Sequence, residues 1–122
     1  MLRKMLRDAK EDSFSAVYIR PGHTDCRMGV NGLSNLIQFE FNLDPFEKNV
    51  LFLFCGRSRK MIKGILWDGD GFIIMSKYIN GRYQWPSTKD EVRQLTYDEF
   101  KRLMTGFTID SSIETSTPKY LG

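Results

Sequence analysis

Between Val50 and Trp85 the chain alternates short apolar runs with turn residues, and this punctuation points to an antiparallel meander. Val50–Cys55 is apolar at every position, as in a strand buried on both faces. Met61–Trp67 and residues 72–79 follow, rich in β-branched and aromatic side chains that suit a pleated surface. They are separated by the polar stretch 56–60, by Asp68-Gly69-Asp70-Gly71 and by Asn80-Gly81, the strongest hairpin signal in the chain. A fourth meander strand is expected over 82–85, stopped by Pro86. Centring the turns on Gly69-Asp70 and Asn80-Gly81 sets the register: Trp67 opposite Phe72, Ile65 opposite Ile74, Tyr78 opposite Tyr83, Ser76 opposite Trp85. One face then gathers Ile65, Trp67, Phe72, Ile74, Tyr78, Tyr83 and Trp85 and is expected to pack on helix. The other mixes Leu66, Ile73 and Met75 with Lys77, Arg82 and Gln84, so only partial cover is expected there.

The flanks add helices. Val17, Tyr18 and Ile19 predict a strand over 16–20, ended by Pro21-Gly22. Over 29–41, Val30, Leu33, Leu36, Ile37 and Phe41 recur at helical spacing and predict an amphipathic helix, broken before Pro45. A short strand is expected over 91–95. Thr96 with Glu99 has the spacing of a capping box, opening a helix over 97–105 that buries Phe100, Leu103 and Met104 and stops at Gly106. The fold class is therefore α+β, a four- to five-stranded, mostly antiparallel meander sheet packed with two main helices. Residues 1–15 read as a basic N-terminal extension, its helical spacing too short to be stable alone. Residues 16–109 form one domain, and the Ser/Thr-rich 110–122 segment is expected to be a disordered tail.

At 122 residues the chain fits a single domain, and no apolar run is long enough to span a bilayer or serve as a secretion signal. Cys26 and Cys55 suggest no disulfide framework, so a reducing cytoplasm is the expected compartment. The net charge of +3 is uninformative by itself, but residues 57–82 hold six cationic side chains against two acidic ones. A meander puts alternate turns at opposite ends. Arg57, Arg59, Lys60, Lys63, Lys77 and Arg82 should thus gather at one end, with Asp68 and Asp70 at the other. Such a rim suits phosphates, through bidentate arginine contacts, or an acidic patch on a partner protein. Sheet-edge protection by lysine and arginine is the plainer alternative.

Other clusters carry less chemistry. Asp68 and Asp70 have the spacing of a calcium-loop start without its later ligands, so a turn explains them better. His23 and Cys26 lie close in sequence, but a nucleophile pair lacks an orienting third group; helix capping by Thr24 or Asp25 is the simpler expectation. Neither zinc spacing nor a phosphate-binding glycine loop is present, and no metal or cofactor is expected. Trp67, Trp85, Tyr78 and Tyr83 have rings able to stack bases, yet read better as core.

The segments VYIRPGHTDCRMGVNGLSNLI (17–37), LDPF (43–46), LFLFCGRSRKMIKGILWDGDGF (51–72), NGRYQWP (80–86) and LTYDEFKRLMTGF (95–107), in this order, resemble the TnpB (Orf-two-like) accessory proteins of insertion-sequence sixty-six transposable elements. Gly22, Thr24, Asp25, Arg27 and Gly29 match that family's pattern before the first helix, while Met28 stands where lysine is usual. The resemblance implies a bacterial factor encoded beside a larger transposase that holds the catalytic acids. It therefore implies a non-catalytic accessory role in DNA transposition; the basic sheet end, with Arg27 added, is then expected to bind duplex DNA, the transposase and other proteins of the element, or both. The alternatives are a protein-only adaptor for the transposase and a metal-dependent nuclease using Asp25, Asp68 or Asp70. No membrane partner is expected, and an open sheet edge permits a homodimer.

Overall fold

The meander forms over its first three strands and then departs from expectation. In the computed structural model, which describes residues 6–87 and 92–106, β1 is Ala16–Ile19, β2 Val50–Cys55, β3 Met61–Trp67, β4 Phe72–Tyr78 and β5 Arg93–Leu95. Trp67 faces Phe72 and Ile65 faces Ile74, as the Gly69-Asp70 turn requires; Gly69 supplies the positive φ of 96°. Gly64 sits where an added Cβ would lie 3.1 Å from Met75 and 3.2 Å from Leu51, so only a glycine leaves the neighbouring strands undisturbed.

The expected fourth meander strand is absent. Residues 82–85 form no ladder with β4, and neither Tyr78 with Tyr83 nor Ser76 with Trp85 is a pair. The chain bends at Asn80-Gly81 and crosses the end of the sheet. Tyr83 N–H donates to Arg59 O at 2.7 Å, and Trp85 Nε1–H donates to Arg20 O at 2.9 Å. Tyr83 and Trp85 are thereby buried on the face opposite to the one their register implied, while Tyr78 is left exposed. The reason is area. Folded beneath the sheet, both rings leave water almost completely, whereas a fourth strand at the edge would have covered one side of each.

The sheet is mixed rather than purely antiparallel, with strand order β4-β3-β2-β1-β5. β1 runs parallel to β2 and antiparallel to β5. The parallel pair requires a crossover. It is supplied by helix α1, Val30–Asn35, which continues as a π-helical turn, Leu36–Glu40. Phe41 N–H closes that wide turn on Leu36 O at 3.0 Å, and the Phe41 ring stacks on Phe54. Leu33 and Ile37 are fully buried against Phe52, Phe54 and Ile65, but Val30, expected on the same face, is 37% exposed.

The second face is fully furnished. Helix α2, Tyr97–Met104, places Phe100, Leu103 and Met104 over Ile19, Leu53 and Leu66. Thr96 and Glu99 form the expected capping box, and Gly106 has the positive φ of a helix stop. Leu6, Ala9 and Phe14 join this core, so the chain ahead of β1 packs on the sheet from Leu6 onward. Ile73 and Met75 lean on it too, so this face is better covered than the sequence suggests. The expected N-terminal helix lies partly, and the expected C-terminal tail wholly, outside the described residues. No helix among the described residues is long and apolar enough to cross a membrane.

Candidate nucleic-acid interface

Three loops meet at one end of the sheet: residues 20–29 after β1, 56–60 between β2 and β3, and 79–87 after β4. This is the carboxyl end of the parallel pair β1–β2, where open sheets with helical crossovers commonly hold ligands. Backbone hydrogen bonds weld the loops together. Thr24 N–H donates to Cys55 O at 2.8 Å, Gly22 N–H to Pro86 O at 2.8 Å and Ile79 N–H to Lys60 O at 2.9 Å.

Arg57 is at the centre, lining three adjoining hollows. The largest, about 540 Å³, also takes in Arg20, His23, Asp25, Arg27 and Tyr78. A second of about 510 Å³ is lined by Arg57, Ser58, Arg59, Arg82, Tyr83 and Gln84. A smaller one between them brings in Trp85 and Pro86. Arg57 Nη2 lies 3.4 Å from His23 Nε2, a contact that a guanidinium makes as donor to an unprotonated ring nitrogen.

The seven cations singled out by sequence meet different fates. Arg57, Arg59 and Arg82 come together, and among the described residues no carboxylate lies within ion-pair distance of them. Lys60 is exposed in the same loop, and Lys77 lies near the end of edge strand β4. Arg27 is present on the rim, but both its guanidinium and its backbone N–H bind Asp25 at 3.0 Å. Those hydrogen bonds hold the Asp25 carboxyl down at about 2 and raise the Arg27 guanidinium further. Lys63 is turned inward: its ammonium donates to Met28 O at 2.7 Å and Cys26 O at 3.0 Å, fixing the loop after β1 to β3.

Three further side chains stand at this end: Arg20 was not singled out, His23 was weighed only as a nucleophile partner, and Tyr78 was weighed as a base-stacking ring but read as core. Arg20 reaches Glu40 of the π-helical turn at 2.8 Å and Thr24 Oγ1 at 3.1 Å. His23 and Tyr78 line the large groove. The available signal for Arg20 and His23 was their position directly after a strand, but it acquires meaning only once β1 is known to lie parallel to β2. Helix capping by Thr24 or Asp25 does not occur; Gly29 is the N-cap residue of α1, which has no side-chain cap, and Thr24 is buried beneath Arg20.

The chemistry of the other clusters is limited. Burial pushes the Cys26 thiol up, and that of Cys55 to about 12; both cysteines are free. Asp25 sits at the arginine end and Asp68 and Asp70 at the other, beyond β3. Among the described residues, no three histidine, cysteine or acidic side chains converge as a metal site would need.

Comparison with known proteins adds a family. The chain is similar to two proteins of Sinorhizobium fredii. One, described as uncharacterized protein y4hO, is 34% identical over 107 residues, covering 87% of this chain and 92% of the relative. The other, uncharacterized protein y4jC, is 31% identical over 83 residues, covering 67% of this chain and 70% of the relative. No solved structure matches. The profile of the IS66 Orf2 like protein family (TnpB_IS66) matches residues 15–114, which spans the sheet, both helices and the arginine rim, and the chain therefore belongs to that family.

Proposed function

We propose that this protein is a non-catalytic accessory factor for DNA transposition that grips DNA through the arginine rim. The observation that supports it is the convergence of Arg57, Arg59 and Arg82 on one hollow with no acid partner among the described residues. Exposed guanidinium groups held by a rigid frame suit phosphate oxygens, and they give affinity that depends on salt rather than sequence. Fluorescence anisotropy with duplex DNA over a salt series tests this. Three phosphate contacts predict a slope of log K against log salt of about −2.7. Charge reversal at Arg57, Arg59 and Arg82 should flatten it. Binding that ignores salt, or no binding, overturns the reading.

A second reading, a protein-only adaptor for the transposase, is favoured by Phe39, whose ring on the π-helical turn is 73% exposed. Capture of the transposase that survives Arg57→Glu, Arg59→Glu and Lys60→Glu together but fails with Phe39→Ser would support this version over the rim.

A further inference from the structure

Tyr78 ends β4 with 73% of its surface exposed. Most other aromatic rings on that face of the sheet are packed. β4 is an edge strand, so no neighbouring strand covers the ring's outer side. Its cross-strand partner is Met61, and both line the groove of about 540 Å³ shared with His23, Arg27 and Arg57. That volume is within the range of clefts that hold small ligands. The groove thus joins an open aromatic ring and a thioether to guanidinium groups from two separate loops.

A phosphate backbone alone needs only the cations. In a duplex the base faces are already stacked on one another, and a protein side chain meets only their edges. A ring open to solvent in the same groove as these cations is matched by a base that has left the stack, with its phosphate at the arginine. We infer that this groove takes an unpaired nucleotide of a DNA strand, Tyr78 stacking on the base while Arg57 holds the adjoining phosphate. The inference rests on the DNA reading above and narrows it to sites where paired DNA gives way to unpaired, such as a strand end or a junction.

The test compares a blunt DNA hairpin with the same hairpin bearing a short unpaired tail that carries 2-aminopurine, against the wild type, Tyr78→Ala and Tyr78→Phe. The tail should strengthen wild-type binding about tenfold, the scale of one base–aromatic stack. Tyr78→Ala should lose that gain, so that it binds the blunt and the tailed hairpin alike. Tyr78→Phe should keep it, and the 2-aminopurine emission should change only when position 78 is aromatic. Equal binding of blunt and tailed hairpins, or a gain that survives Tyr78→Ala, overturns the inference and leaves the DNA reading standing. Failure to bind either hairpin overturns both.

Discussion

Arg59 occupies a backbone conformation that favours glycine, with φ of +64° at the close of the β2–β3 turn. Arg59 N–H bonds Gly56 O at 3.0 Å, and its own carbonyl accepts from Tyr83, so the turn cannot relax without releasing the segment beneath it. A bulky residue in the left-handed region costs about 1 kcal/mol. Arg59→Gly should therefore raise stability by about that much in urea titration while weakening DNA binding. A loss on both counts would show that the side chain holds the turn rather than a ligand. Tyr83 presents the converse case. Its ring is buried, and its hydroxyl has no hydrogen-bond partner among the described residues. Burial pushes that phenol to about 12. Removing an unpaired hydroxyl removes its desolvation cost, so Tyr83→Phe should stabilise the protein by about 1 kcal/mol. Among single residues, Arg57, Arg59 and Arg82 were readable as one cluster because turn order in a meander depends only on the neighbouring strands. The inward turn of Lys63 was not, because its carbonyl partners lie more than thirty positions away in the chain.

Helix α2 shows how much one element can declare locally. Thr96 Oγ1 accepts from Glu99 N–H at 3.1 Å, and Glu99 returns the bond to Thr96 N–H at 2.8 Å. Thr96→Ala should cost about 1 kcal/mol, read as a shift of the urea midpoint with an unchanged slope. Burial works against the charge on Glu99, yet the bonds from Thr96 and the Arg93 ion pair at 3.0 Å hold its carboxyl below the usual 4.5. A carboxyl depressed by folding contributes stability that is complete above its unfolded value and lost as pH falls through the folded one. Acid titration should thus show a stability loss below pH 4.5 that Glu99→Gln makes shallower. Capping box, helix face and stop were legible because each is a short-range pattern. The Asn80-Gly81 signal misled for the same reason: it says where the chain bends, not which surface it then meets. The π-helical turn left no mark in the periodicity, since Leu33, Ile37 and Phe41 are spaced four apart in either helix.

At the scale of the whole molecule, the two faces are closed by different devices. One carries the crossover helix and its π-helical turn. The other carries α2, the chain before β1 and the two rings of residues 83 and 85. Trp85 joins these devices to the rim, since its indole is buried while its N–H holds Arg20 O at 2.9 Å. Trp85→Ala should cost about 3–5 kcal/mol and also weaken DNA binding at temperatures where the protein is still folded. Stability loss with unchanged affinity would separate the rim from the layer beneath it. None of this long-range arrangement was written in the sequence pattern. Insertion of β1 between β2 and β5 depends on pairing partners distant in the chain, and periodicity is blind to them.

That insertion has a consequence for the order of manufacture. The first strand leaves the ribosome with neither neighbour available: one follows about thirty residues later, and the other only with Arg93–Leu95. The loop that carries Arg20 and His23 waits for the carbonyls of Cys55 and Pro86 to anchor it. A stalled or shortened translation product would hold every arginine of the rim without the frame that aims them, so the rim takes its shape only once β5 has been made.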